Sequence, residues 1–200
     1  MFALTDADLR LSRILGCADG PASFNAQATR RGTAVISIDP LYQLDSTTIG
    51  ERIAATRDEM LEQAQRNNQL FVWVSIQSVE ELGRIRMQAM QVFLEDYDLA
   101  KVQGRDVAAE LPSVAFADQS FDLALCSHFL FLYTEHLPEA FHRSAIFELC
   151  RVAREVRIFP CLPWTVVPRH MFRISWPVSA TLGKLPLKPC LTNFNEGGTR

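Results

Sequence analysis

Short apolar runs alternate with longer amphipathic segments over the first 160 residues, and this alternation most constrains the fold. Apolar runs of strand length lie just before Gly16 and at 33–38, 105–113, 121–126 and 155–160. Helical periodicity covers 22–31, 46–67, 79–97 and 140–154, and the run at 70–77 suits a short strand or a buried turn. Strands alternating with helices predict an α/β protein with a Rossmann-like, doubly wound sheet.

A small-residue turn, "GCADGP", joins the first apolar run to the first helix. Gly16 and Gly20 permit positive φ angles and the close approach of a ligand to the backbone. Asp39 follows the second apolar run, 23 residues after Gly16. In a β–turn–α–β unit such an acid accepts hydrogen bonds from ribose hydroxyls, and the turn offers backbone N–H groups. The stretch predicts a nucleotide-like cofactor site or, alternatively, an ordinary crossover whose glycines only make the turn.

Small, acidic and polar residues follow the other predicted strands as well. Because ligands of parallel α/β sheets bind at the carboxyl ends of the strands, we expect these residues to line one site. The candidate cofactor-binding residues are Gly16, Cys17, Ala18, Asp19, Gly20, Asp39, Pro40, Leu41, Ala109, Glu110, Leu111 and Ser127.

Composition indicates one cytoplasmic domain. A chain of 200 residues can bury a sizeable core, and a net charge of −3 does not favour nucleic acid or an anionic membrane as a partner. No apolar run reaches the length of a membrane span. The five cysteines are scattered without C-x-x-C spacing, which is typical of reduced thiols, and the acids and histidines lack the spacing of a metal site.

Three stretches, "ILGCADGPASFN", "VISIDPLYQ" and "FADQSFDLALCSHFLFLY…ELCRVAREVRIFP", resemble a bacterial family of S-adenosylmethionine-dependent methyltransferases with the class I fold. The resemblance covers about 1–160. It implies that Gly16–Gly20 surrounds the methionine part of the cofactor and that Asp39 binds the ribose hydroxyls. It also implies that Ala109–Leu111 lies near the adenine, and that Ser127 and His128 lie beside the methionine end or the substrate.

The chain departs from that family in three places. Ala18 stands where family members usually have glycine, and its methyl group could crowd the cofactor or demand an unfavourable φ angle. The resemblance implies an N-terminal extension that helps to cover the cofactor, and we expect this chain to lack it. We therefore expect a cofactor-binding domain over 1–160, with a helical insertion at about 46–104, followed by an irregular tail over 161–200.

The tail has five prolines after Leu162 and sustains neither the periodicity of a helix nor that of a strand. We expect it to lack the regular final helix and antiparallel strand pair of a class I methyltransferase. One hypothesis is a frameshift after about Cys161, because suitable codons for 189–199 would allow a shifted reading that resembles the closing strand of the family. Incompatible codons in the coding DNA would refute it. The alternative is a divergent tail that closes the sheet in another way.

Polar side chains outside the turn carry less specific signals. His128 is the candidate catalytic residue, a general base for an oxygen or nitrogen nucleophile, or else it packs beneath the next helix. Glu110 contacts the cofactor or is a solvated loop acid, and Asp19 faces the methionine ammonium or stabilises its turn. We expect His142 and Arg151 on solvated helix faces.

These observations favour an S-adenosylmethionine-dependent methyltransferase whose acceptor is a small molecule or a protein side chain. The main alternative is a non-catalytic, degenerate domain that binds the cofactor weakly or not at all. A nicotinamide-dependent oxidoreductase is less favoured, because the glycine spacing and a Tyr/Lys or His/Arg catalytic pair are missing.

Overall fold

The computed structural model describes residues 2, 4–11, 13–67, 76–133 and 136–159, together with the strands at 171–175 and 188–190. The strands are β1 (Arg13–Cys17), β2 (Ala34–Ile38), β3 (Asp106–Val107), β4 (Phe121–Ser127), β5 (Ala153–Phe159), β6 (Met171–Ser175) and β7 (Lys188–Cys190). The helices are α1 (Asp6–Leu11), α2 (Phe24–Arg30), α3 (Ser46–Arg66), α4 (Val79–Val102) and α5 (Glu139–Val152), with a 3₁₀ helix at Pro40–Gln43. The chain divides into two compact units: the first unit comprises Met1–Ala18 and Glu110–Arg200, and the second Asp19–Ala109.

In the first unit, β1 and β5 both pair in parallel with β4. Leu15 faces Ala124, which in turn faces Val156, and all three side chains are buried. The runs are apolar on both faces, as is typical of central parallel strands. Because the three strands run in the same direction, their carboxyl ends lie at one edge of this sheet.

The expectation that the tail lacks an antiparallel strand pair is wrong. β6 pairs antiparallel with β5, and β7 pairs antiparallel with β6. Backbone N–H and C=O groups along β5 can pair with any extended segment, so the absence of side-chain alternation does not prevent the pairing. Pro189 is tolerated because β7 is the last strand in the sheet order. The expected final helix and the residues after Cys190, on which the frameshift hypothesis depends, lie outside the described residues.

In the second unit, β2 and β3 pair in parallel, with Ser37 facing Asp106. The helical insertion predicted at 46–104 corresponds to α3 and α4, which pack on each other. Each helix begins at a capping side chain, Asp45 for α3 and Ser78 for α4. Their shared apolar cluster consists of Tyr42, Ile49, Ile53, Phe93 and Tyr97. The apolar run at 70–77 lies almost entirely outside the described residues.

Among themselves, the strands β1 to β5 pair in parallel, and helices connect β1 to β2, β2 to β3 and β4 to β5. The fold is therefore α/β of the Rossmann-like, doubly wound type, as the sequence predicts. Within the described part of the chain, none of the helices combines the length and apolarity needed to cross a bilayer.

Two expectations about surface residues in the first unit are wrong. His142 is buried, with its Nδ1 3.0 Å from the Pro138 carbonyl oxygen, because α5 turns this side of the helix toward the core. Arg151 is not simply solvated: its guanidinium donates to Asp118, Glu148 and the Val114 carbonyl. It thereby fastens the loop before β4 to α5. Helical periodicity alone does not show that a distant loop supplies acceptors to an arginine.

Candidate functional site

The strand ends of the first unit bring two groups of predicted site residues together. Cys17 faces Cys126, and Ser127 faces Phe159, so Ala18 and His128 leave neighbouring strands at the same edge. Gly16 and Cys17 lie inside β1 and are buried. The exposed part of the predicted glycine turn therefore begins at Ala18.

The backbone of Ala18 has a conformation that glycine adopts more easily than alanine. Its φ is +56°, in the left-handed region that an L residue with a Cβ adopts at a cost of about 1 kcal/mol. The prediction of an unfavourable φ angle at this position is confirmed. Gly20, two residues later, has a φ of +57°, and a Cβ built there would meet no atom within 4 Å. Two residues of the turn, Ala18 and Gly20, are thus left-handed, and the turn is open beside Gly20.

In the second unit, the Asp39 carboxylate binds two backbone N–H groups, one in the glycine turn and one just after β2. One carboxylate oxygen accepts from the Gly20 N–H at 2.9 Å, and the other accepts from the Leu41 N–H at 2.8 Å. The Tyr42 hydroxyl donates to the Gly20 carbonyl at 2.9 Å. A carboxylate offers about four acceptor positions, so half-buried Asp39 retains acceptor capacity after these two bonds.

Asp19 points to β2. The Ser37 hydroxyl donates to one Asp19 carboxylate oxygen at 2.6 Å, and the Asn25 side-chain amide lies 3.2 Å from the same hydroxyl. Burial raises the pKa of Asp19 to about 7, opposed by the Ser37 hydrogen bond and assisted by the charges of Asp39 and Asp106. These contacts favour the interpretation in which Asp19 stabilises its own turn.

Asn25 connects this carboxylate to a second buried acid. Its amide nitrogen also donates to Asp106 at 3.1 Å, and its carbonyl oxygen accepts from Arg105 at 2.8 Å. Arg105 forms an ion pair with Asp96 at 2.8 Å. Burial raises the pKa of Asp106 to about 6, with Arg105 opposing the shift. We call Asp19, Asn25, Ser37, Arg105 and Asp106 the polar network.

The polar network and Asp39 together give this part of the second unit an excess of carboxylates. Asp19, Asp39 and Asp106 lie close enough to affect one another electrostatically, and Arg105 is shared with Asp96. Such a surface favours cations and hydroxyl donors over anions. Among the described residues, no three His, Cys, Asp or Glu side chains converge as a metal site would require.

Sequence reasoning missed Asn25, Ser37 and Asp106. The sequence marks such a residue only when a polar side chain interrupts an apolar pattern that predicts burial. Ser37 inside "AVISI" is an example. All three are at most 5% exposed. Buried polar groups need partners, but the sequence does not show which ones.

The remaining predicted residues have varied surroundings. In the second unit, Pro40 is exposed, while Leu41 and Ala109 are half-buried, Leu41 offering its N–H to Asp39. In the first unit, Glu110 is exposed, which fits a solvated loop acid, and the Leu111 side chain belongs to the core. A role in binding for these residues stays a prediction.

His128 is exposed, contrary to the alternative in which it packs beneath the next helix. Its Nδ1 lies 2.8 Å from the Ser127 hydroxyl oxygen, and its ring meets Phe159 edge to face at 5.4 Å. Its backbone N–H donates to the Phe159 carbonyl at 2.6 Å, with a φ of +54°. The structure thus presents the imidazole to solvent at the carboxyl edge of β4.

Over most of its length the chain is similar to an archaeal protein. The uncharacterized protein MJ0045 of Methanocaldococcus jannaschii is 34% identical over 165 residues, a match that covers 81% of this chain and 72% of the archaeal protein. No protein-family model matches the chain.

Proposed function

We propose that this chain, which belongs to the family of the archaeal protein MJ0045, is an S-adenosylmethionine-dependent methyltransferase. The observation that carries the proposal is Asp39, a half-buried carboxylate after β2 that binds the Gly20 N–H and retains acceptor capacity. Ribose hydroxyls need such an acceptor at the end of the second strand of a doubly wound fold. The resemblance of the sequence to class I methyltransferases supports the same assignment.

The residues present fit this cofactor. The space beside Gly20 is open, and Ala18 has a left-handed backbone, the conformation that a glycine would adopt at little cost. The half-buried carboxylate of Asp39 suits a ligand with an ammonium and a sulfonium. In the second unit, Asp39 would hold the ribose and the backbone at Asp19–Gly20 would approach the methionine part.

S-adenosylmethionine supplies an electrophilic methyl group, so the protein's own task is to bind, orient and manage a proton. Tyr42 and Asp39 fix the Gly20 peptide through its carbonyl and its N–H, which orients the turn before any ligand arrives. In the first unit, the Nε2 of His128 can accept a proton when Nδ1–H donates to Ser127. A small molecule or a protein side chain would be the acceptor.

The same proposal places the protein in the cytoplasm. Cys17, Cys126 and Cys150 are buried and form no disulfide within the described residues, which suits a reducing compartment.

Calorimetric titration with S-adenosylhomocysteine tests the proposal. We expect micromolar binding by the wild-type chain and at least a 50-fold loss in Asp39→Ala. Asp45→Ala is the matched control, because Asp45 also caps a helix, through a 2.7 Å bond from the Thr48 N–H. Both variants lose an aspartate that caps a helix, but only the first should lose the ligand.

Two outcomes would overturn the assignment. Binding of NADH in place of S-adenosylhomocysteine would favour the oxidoreductase. Absence of binding by a sample that unfolds cooperatively would favour the degenerate, non-catalytic domain.

A further inference from the structure

The segment that leaves β4 in the first unit, Ser127–Tyr133, has an unusual composition for an exposed loop. Its sequence, "SHFLFLY", carries three aromatic rings and a histidine. We call it the aromatic loop. It begins where Ser127 faces Phe159, at the carboxyl edge of β4 and β5.

The backbone of the aromatic loop is strained at two residues. His128 has a φ of +54° and Phe131 a φ of +66°, and neither is a glycine or an asparagine. Two contacts retain this conformation: the His128 N–H donates to Phe159, and the Phe131 N–H donates to Nε2 of the buried His142 at 3.4 Å. Strain that the surrounding structure maintains is concentrated at functional sites.

This backbone directs some side chains of the aromatic loop into the core and leaves others accessible at the surface. Leu130 is fully buried and anchors the loop. Phe129 is half-buried and contacts Tyr133 and Phe141, with ring centroids 6.5 and 6.0 Å apart. Tyr133 remains 48% exposed. The result is a supported aromatic surface that follows directly on the half-buried Ser127 and the exposed His128.

We propose that the aromatic loop binds a small planar aromatic molecule that carries a hydroxyl group. The ring stacks on Tyr133 and Phe129, and the hydroxyl faces the Ser127–His128 pair. Aromatic rings recognise flat π systems by offset stacking, and an imidazole beside a serine hydroxyl recognises a hydroxyl group. The inference rests on the proposed function in one respect, namely that this molecule is the methyl acceptor.

The experiment measures binding of catechol to the full chain by NMR, without any cofactor. We expect millimolar or tighter binding, and at least tenfold weaker binding of 1,2-cyclohexanediol, which has the same two hydroxyls but no π system. Equal binding of the two compounds would overturn the stacking, and absence of catechol binding would overturn the site.

Three variants locate the site. Tyr133→Ala should weaken catechol binding at least fivefold, whereas Phe147→Ala, which removes an aromatic ring that is 43% exposed on α5, should leave it unchanged. His128→Gly keeps a residue that tolerates the left-handed backbone and should weaken binding several-fold. Equal effects of Tyr133→Ala and Phe147→Ala would overturn the location.

Titration of the same samples with S-adenosylhomocysteine separates the two proposals. Catechol binding without S-adenosylhomocysteine binding would leave the aromatic site standing and refute the methyltransferase. S-adenosylhomocysteine binding without catechol binding would refute the aromatic site and leave the methyltransferase proposal standing.

Discussion

The two strand-end segments that carry candidate site residues are held in place by different physical means. After β2 in the second unit, Asp39 and Tyr42 bind the Gly20 peptide through directional hydrogen bonds. After β4 in the first unit, rings and a strained backbone at His128 and Phe131 shape the aromatic loop. Directional bonds specify one geometry, which suits an invariant cofactor, while stacking tolerates variation in the bound molecule.

The two segments also differ in how strongly a substitution should affect the stability of the fold. The polar network holds a buried carboxylate, Asp106, and a half-buried one, Asp19, beside one arginine, so the loss of a partner leaves a shielded polar group unpaired. The aromatic loop is partly exposed, and truncating one of its rings leaves no unpaired charge. We therefore expect the polar network to be sensitive in stability and the aromatic loop to be sensitive in binding.

The largest effect on this comparison should come from Asn25→Ala. The variant removes the amide that lies within hydrogen-bonding distance of Ser37 and Asp106 and accepts from Arg105. We expect a loss of about 3 kcal/mol in the free energy of unfolding, because a buried carboxylate is left without its amide partner. Urea denaturation measures it.

Asn67→Ala is the control for this variant. Asn67 is exposed at the end of α3 and donates to the Gln63 carbonyl, so its loss should cost less than about 0.5 kcal/mol. Similar losses in the two variants would mean that the polar network contributes no more than a surface hydrogen bond.

An intermediate effect should appear in the pH dependence of stability. The pKa of Asp19 is about 7 in the folded chain, above its ordinary value of 3.8, so folding favours the protonated form. The associated stability is fully present below pH 3.8 and is lost as the pH rises through 7. We expect Asp19→Asn to reduce the decrease in unfolding free energy between pH 4 and 8 by about 1–2 kcal/mol.

The matched control is Asp58→Asn, which changes the same group where the side chain is 89% exposed. Its pH profile should follow that of the wild type. If Asp19→Asn also left the profile unchanged, Asp19 would titrate as a solvated acid, and the contrast between the two segments would weaken.

The smallest effect should come from Ala18→Gly. A glycine removes the cost of the left-handed φ of +56°, which exceeds the entropy that it adds to the unfolded chain. We expect a gain of about 0.5–1 kcal/mol in thermal or urea unfolding. Ala117→Gly, in an exposed turn where φ is not positive, should instead lose a similar amount. A loss in both variants would show that Ala18 is not strained.

The local sequence pattern was sufficient to predict most helices and strands and the position of Asp39. The apolar run before Asp39 ends as β2 ends, so its carboxylate is placed by its position in the chain alone. Ser37 and Asn25 could not be found in this way, since a polar residue within an apolar pattern indicates burial but not a partner. Asn25 and Asp106 are 81 residues apart, and their contact depends on the pairing of β2 with β3.

The sequence by itself determined the α/β class, most helix and strand positions, and the acid after the second strand. The physical reason is that burial and backbone preference act locally, and their periods of 2 and 3.6 residues are visible in one chain. Only the tertiary structure decided that Ser37 faces Asp19, that Arg151 binds a distant loop, and that the tail pairs with β5. These are contacts between segments far apart in sequence, where distance, direction and the need to satisfy buried polar groups select the partner.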